Sequence, residues 1–256
     1  MLSGKNAIIT GARTGIGLAT LKLFAQSGAN CWAVVHREDT DFLSLIQELE
    51  HKHFIWIKPV YIDLSDSESV KSGIKGILKE KLPVDVLVNA AGIVSPNRLF
   101  SMTSMNDIRK VMDVNFFSIL EITQPVIRIM QRQKTGSIIN IASISADCED
   151  TSQLEYAASK AALICATKKL ANEVGASGIR VNSVSPGLTD TNMTKGIEEK
   201  AISKIFEGLV TKRLGTPEEI ANIIAFLASD LSSFINGENI KADGGGMDLR
   251  LMVSNI

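Results

Sequence analysis

The chain is poor in cysteine: three residues in 256, far apart at Cys31, Cys148 and Cys165. An odd, scattered set excludes a disulfide framework and fits a reducing compartment, so a cytoplasmic location is expected. There is no C-x-x-C pair, and the only close histidines, His51 and His53, have no cysteine near them. No metal site is expected, and the two histidines read as a polar helix end. Charge of one sign is lacking too. Lys and Arg number 27 against 28 Asp and Glu, a formal net charge of -1. That excludes nucleic acid and membrane surfaces as partners recruited by bulk electrostatics. No apolar run approaches the roughly 18 residues of a transmembrane helix. The short run "AIIT", cut off by Gly11, does not have the form of a signal peptide. Linkers, charge blocks and low-complexity tracts are absent.

What is present suits one large domain over residues 1–256, since 45% of the chain is hydrophobic and a core of that size needs no staples. Short β-rich runs alternate with longer helical patterns. Strands are expected at 6–10, 30–36, 55–64, 84–92, 136–143, 179–187 and 238–243. Helices are expected at 17–28, 40–52, 65–82, 156–175 and 217–230. Residues 103–133 read as largely helical, with Pro125 bending the helix or marking a local irregularity. Thr40, and Ser65 or Asp66, are candidate N-caps. Pro59 implies a bulge or a later start to the third strand. Regular alternation with nearly all-apolar strands predicts an α/β fold: a doubly wound Rossmann-type domain, its seven-stranded parallel sheet covered by helices on both faces. Ligands of such sheets bind at the carboxyl ends of the strands.

Two local patterns carry chemistry. "TGARTGIG", residues 10–17, joins the first strand to the first helix with the spacing G-x-x-x-G-x-G. Gly11 lets the chain turn. Gly15 and Gly17 leave the backbone open to a phosphate at the helix N-terminus, where free N–H groups and the dipole favour an anion. By itself the stretch serves equally as a plain strand-to-helix turn. The second pattern is Tyr156 with Lys160, four apart and therefore on one helical face. A free tyrosine is a poor base near neutrality; a nearby ammonium favours the phenolate, so the pair can exchange a proton with a substrate oxygen. Ser143 ends the fifth strand at the ligand edge, with Ser145 a nearby competitor. No histidine lies in this segment and there is no G-x-S-x-G, so a serine-hydrolase triad is unsupported.

In this order the motifs resemble the short-chain dehydrogenase/reductase family, over essentially the whole chain. The resemblance implies that Gly11, Arg13, Thr14, Gly15, Ile16 and Gly17 cradle the cofactor pyrophosphate and that Asp63 and Leu64 meet the adenine. Asn89, Ala90 and Gly92 match the family's N-N-A-G, with Ala90 in place of the second asparagine and one side-chain hydrogen bond lost. The resemblance makes Ser143, Tyr156, Lys160 and Asn115 the catalytic set, Asn115 holding a water that relays protons to Lys160. Tyr156 and Lys160 also touch the cofactor. In "SPGLTDT", Pro186, Gly187, Thr189 and Thr191 would close over the nicotinamide.

The hydride must come from a nicotinamide, since no side chain donates one. In NAD-binding sites of this type an acid about 20 residues beyond the glycines holds the ribose. Here Val35 and His36 are not acids, and Arg37 and Arg13 add two cations, which favours NADP(H). NAD(H) stays open through Glu38 or Asp39. The chain looks most like the 3-oxoacyl-acyl-carrier-protein reductase branch, in "RLGTPEEIANIIAFLASDLSSFINGE" above all. Lys134 lies in a region where that branch uses a basic residue, and Ser177 falls where it often has arginine. Asp147, Glu149 and Asp150 would repel a phosphopantetheine phosphate, which keeps a sugar or polyol substrate open. A non-catalytic NADP(H) sensor is the reading from another class, and the presence of Tyr156 and Lys160 speaks against it. The resemblance also implies a homotetramer built on the helices around Asn115 and after Tyr156 and on the C-terminal helix and strand.

Overall fold

The computed structural model describes residues 1–147, 152–194 and 209–245. Seven strands, β1 (Asn6–Thr10), β2 (Asn30–Val35), β3 (Ile57–Tyr61), β4 (Val86–Asn89), β5 (Gly136–Ile141), β6 (Ile179–Pro186) and β7 (Asn239–Ala242), form one sheet in the order β3-β2-β1-β4-β5-β6-β7. Every pairing is parallel. The connecting helices are α1 (Gly15–Gln26), α2 (Thr40–His53), α3 (Ser67–Lys79), α4 (Met105–Met112), α5 (Ser118–Gln133), α6 (Leu154–Val174) and, among the described residues, α7 (Pro217–Ala228).

The two-residue period of a strand explains why the strands read as unbroken apolar runs. Ala7, Ile9, Cys31, Ala33 and Val35 point to one face, into a core with Phe24 of α1, Ile46 of α2 and Ile224 of α7. Ile8, Trp32 and Val34 point to the other, against Ile74 of α3, Val126 of α5 and Val174 of α6. Each fully buried Ile or Phe contributes roughly 1.5–3 kcal/mol by leaving water. Order reverses where β1 lies between β2 and β4, and the crevice beyond the carboxyl ends of those strands is where the fold places ligands.

Several expected boundaries change. Strand pairing stops short of the apolar runs at β3, β4, β5 and β7. α1 begins at Gly15, inside the glycine turn. Asp39, not Thr40, caps α2 by accepting from the Phe42 N–H, because its extended backbone turns the carboxyl back over the first turn. Asp66, rather than Ser65, caps α3. Pro59 sits inside β3, paired with Ala33, without a bulge; β3 is an edge strand, where a missing N–H is tolerated. The irregularity expected at Pro125 lies instead at Asp113–Phe117, a π-helical turn between α4 and α5, while Pro125 stays within α5. His51 and His53 occupy the last turn of α2, where positive charge complements the helix dipole.

Candidate active site

Thr10 and the glycine turn build one wall. Thr10 Oγ1 accepts from the N–H groups of Ala90 and Ala91, both at 3.0 Å, tying the end of β1 to the end of β4. Gly11 has φ +68, and a Cβ there would come within 2.9 Å of the Ala91 Cα. A Cβ on Gly17 would overlap the Gly11 carbonyl oxygen, so glycine is needed there to seat α1 on the turn. Gly15 (φ +53) differs from both, since a Cβ there would meet no backbone, only the Thr191 side chain. Thr14 is extended and makes no side-chain cap, and the first turn of α1 has no acidic residue, whereas Asp39, Asp66, Ser104 and Thr216 cap α2, α3, α4 and α7. The uncapped N–H groups, including that of Ile16 behind Gly15, fit an anionic pyrophosphate.

Ser143 lies two residues past β5, Tyr156 in the first turn of α6, and Lys160 one turn later. Tyr156 shares a hydrogen bond with the Ser143 side chain. Ser143 Oγ also accepts from the Ser145 N–H at 3.1 Å, so Ser145 supports Ser143 from behind. Lys160 is buried; its Nζ donates to the Ile141 carbonyl at 2.8 Å and stands 5.7 Å from the Tyr156 ring centroid. Burial lowers the Lys160 ammonium to about 8. Tyr156 does not show the expected depression. Burial pushes its phenol above the ordinary value, and the Ser143 hydroxyl offsets only part of that. The lysine's hydrogen bond goes to a backbone carbonyl, not to the phenol oxygen.

Asn115 sits in the π turn, fully buried, with both ends of its amide engaged. Oδ1 accepts from Ile93 N and Nδ2 donates to Ile93 O, each at 2.8 Å, and Nδ2 also reaches Ser159 Oγ at 3.2 Å. Ser159 in turn donates to the Tyr156 carbonyl at 2.7 Å. Gly92 forms the floor between them: a Cβ there would stand 3.2 Å from Asn115 Oδ1 and 3.4 Å from Lys160 Nζ. Asn89, at the end of β4, is fully buried: its Nδ2 donates to Asn140 Oδ1 at 2.8 Å and Thr123 Oγ1 at 3.2 Å, and its Oδ1 has no hydrogen-bond partner among the described residues.

The outer contacts follow. Arg13 pairs with Asp39 at 2.6 Å, and Arg37 is exposed at the end of β2 with no ion pair among the described residues. Asp63, half-exposed, accepts from the Ser65 hydroxyl and N–H, which hold its carboxyl below the usual range, and Leu64 packs on the core behind it. Pro186 ends β6. Gly187 abuts Asp243, where a Cβ would be 2.8 Å from its Cα, and Thr189 Oγ1 donates to the Gly187 carbonyl. Thr191 reaches Gly15, its Cγ2 3.3 Å from the position of a Cβ there. A cavity of about 250 Å³ lies between Gly15, Leu18, Thr191 and Glu218. A larger one of about 430 Å³, lined by Lys5, Asp85, Arg180 and Asp230, opens at the opposite end of the strands and holds none of the candidate residues. Asp147 is paired with Lys241 at 2.7 Å; Glu149 and Asp150 lie outside the described residues. Lys134 caps α5 just before β5, at the far end of that strand from Ser143.

A family model described as Enoyl-(Acyl carrier protein) reductase matches residues 11–246. A solved short chain dehydrogenase/reductase family protein superposes with a TM-score of 0.83 at 33% identity, over 95% of this chain and 97% of that one. The chain belongs to the short-chain dehydrogenase/reductase family. This dehydrogenase/reductase is an oxidoreductase acting on carbonyl or hydroxyl groups. It is 39% identical to the 3-oxoacyl-acyl-carrier-protein reductase FabG of Thermotoga maritima, over 95% of this chain and 98% of that protein. It is 38% identical to the FabG of Chlamydia muridarum, over 96% and 98%. It is also 36% identical to a 3alpha-hydroxysteroid dehydrogenase of Mediterraneibacter gnavus, over 95% and 97%. Reading the sequence of this dehydrogenase/reductase missed Thr10 as the clasp between β1 and β4, and Ser159 as the link from Asn115 to Tyr156. Thr10 opens the glycine motif and Ser159 lies between Tyr156 and Lys160, so their threonine and serine hydroxyls were the available signal.

Proposed function

We propose that this chain is a cytoplasmic NADP(H)-dependent reductase of 3-oxoacyl thioesters, also able to oxidise the corresponding secondary alcohols. The observation that carries the reading is the convergence of Ser143, Tyr156 and Lys160 beside the uncapped start of α1. When bound, NADPH would supply the hydride. Gly11, Gly15 and the first turn of α1 would hold its pyrophosphate, Arg13 and Arg37 its 2′-phosphate, Asp63 and Leu64 its adenine, and Pro186, Gly187, Thr189 and Thr191 its nicotinamide end. Ser143 and Tyr156 donate hydrogen bonds to the substrate carbonyl oxygen, and Tyr156 passes its proton there as charge builds on that oxygen. The buried Lys160, still mostly protonated at neutral pH with its value at about 8, stabilises the phenolate left behind.

The thioester reading is supported by the FabG relatives and by Asp147, whose charge Lys241 balances, so one of the three acids expected to repel a phosphopantetheine phosphate is offset. The hydroxysteroid relative, at nearly the same identity, favours a second reading with a steroid substrate. Exposed Phe100, Met102, Met105 and Phe117 leave apolar surface around α4, which supports assembly into a homotetramer. The test is NADPH oxidation by acetoacetyl-CoA, a 3-oxosteroid and a keto-sugar, with parent and Tyr156→Phe. Turnover of acetoacetyl-CoA that Tyr156→Phe abolishes supports the proposal; turnover of the steroid or sugar alone replaces the substrate, and a fully active Tyr156→Phe refutes the chemistry.

A further inference from the structure

The start of α6 is joined to the segment after β4 by a contact that the proposed chemistry does not use. Glu155, immediately before Tyr156, is 1% exposed although it carries a carboxyl group. Its Oε1 accepts a hydrogen bond from Ser95 Oγ, and its Oε2 is buried with no hydrogen-bond partner among the described residues. Gln153 Nε2 donates to the Ser95 carbonyl at 2.9 Å, so Ser95 is gripped at both its hydroxyl and its carbonyl. Two residues earlier, the Asn115 amide takes both the N–H and the carbonyl of Ile93. Residues 93–95 thus form a strap with one end on Asn115 and the other on the first turn of α6. A buried acid with one oxygen unsatisfied costs stability, and an apolar side chain of the same size would avoid that cost. What the acid provides is a fixed position for the strap.

We propose that Glu155 is a positioning residue, which through Ser95 locks the post-β4 strap to α6 and so sets Tyr156 against Asn115. The inference rests on the reading of Tyr156 as the proton-transferring group. A shift of about 1 Å at a reacting group can cost on the order of a hundredfold in rate, and loosening one clasp of the strap allows part of such a shift.

The test uses the full chain with NADPH and acetoacetyl-CoA, comparing Ser95→Ala, Glu155→Ala, the double variant, Glu155→Gln and Tyr156→Phe. Ser95→Ala and Glu155→Ala should each lower kcat about tenfold, with KM for NADPH changed less than about twofold. The double variant should be no slower than Glu155→Ala, because both remove one contact. Glu155→Gln, whose amide oxygen still accepts from Ser95, should stay within about threefold of the parent. Losses that multiply, an unchanged kcat in both single variants, or a Glu155→Gln as slow as Glu155→Ala would overturn the proposal. Ser95→Ala deletes a single oxygen, which keeps the test alive should Glu155→Ala misfold. A readout without substrate comes from the tyrosines, of which the chain has two, Tyr61 and Tyr156. In a Tyr61→Phe background, ultraviolet titration follows Tyr156 alone, and Ser95→Ala should move its midpoint down toward the ordinary value as the phenol gains solvent. An unmoved midpoint counts against the strap. A Tyr156→Phe variant with parental kcat would sink the proton-transfer reading instead; its inactivity beside parental Ser95→Ala and Glu155→Ala would sink only the positioning role.

Discussion

Lys160→Met should make the protein more stable while abolishing its activity. Burial lowers the Lys160 ammonium from 10.5 to about 8. A lysine depressed in the folded state binds fewer protons there than in the unfolded chain, so folding carries a penalty wherever the unfolded lysine is charged. At about 1.4 kcal/mol per unit, the shift amounts to roughly 3 kcal/mol near pH 7. The penalty fades as pH rises from about 8 toward 10.5, leaving roughly 1.5 kcal/mol near pH 9.5. Methionine has similar length and no charge, but it leaves the Ile141 carbonyl without its donor, which costs about 1–2 kcal/mol. The net expectation is a gain of about 1–2 kcal/mol near pH 7 that has vanished by about pH 9.5. Urea unfolding of parent and variant at both pH values, followed by tryptophan fluorescence, measures it. A stability difference that does not change with pH would refute the reasoning, since only the proton on Lys160 makes it pH-dependent.

Arg37→Glu should raise KM for NADPH at least about tenfold and leave KM for NADH within about twofold, as the lost cation would face a 2′-phosphate present in only one of them. Equal changes would remove Arg37 from the cofactor site. Gly17→Ala drives a methyl group into the Gly11 carbonyl and should lower stability by more than about 2 kcal/mol in thermal unfolding, with NADPH binding lost; a variant that keeps both would mean the turn can shift. Thr10→Val keeps the side-chain shape but strands the Ala90 and Ala91 N–H groups, and should cost about 2 kcal/mol in urea unfolding together with weaker NADPH fluorescence enhancement. An unchanged midpoint would show that water replaces the hydroxyl.

Sequence-local features were the legible ones. Tyr156 and Lys160 sit one turn apart, and the glycine turn lies between two elements whose periodicity shows their type. The core faces follow from the same periodicity. Strand ends were less legible because hydrophobicity marks burial and not regular strand geometry: Ile62 and Ala142 are buried and each still donates one backbone hydrogen bond to the neighbouring strand, yet both lie beyond the ends of β3 and β5. The π turn could not be read at all. Asn115 is held by Ile93, 22 residues away, and Ser159, 44 away, and nothing near it in sequence announces either contact. The same distance hides the Thr10 clasp, which spans 80 residues to Ala90, and the Ser95–Glu155 contact, which spans 60. Pro125 was the visible irregularity, and neighbouring helix accommodates it without a break.

The π turn also makes chain length a setting. An α-helix advances about 100° per residue, and a π turn absorbs one residue beyond the α-helical count. α4 and α5 are therefore two helices held one residue out of phase. Deleting any one residue between Asp113 and Phe117 would let them merge into a continuous rod and rotate α4 by about a quarter turn against α5. Val111 would leave the interior, and an asparagine could no longer face Ile93 and Ser159 together. What this segment fixes is its number of residues, much as a gear tolerates a worn tooth and not a missing one.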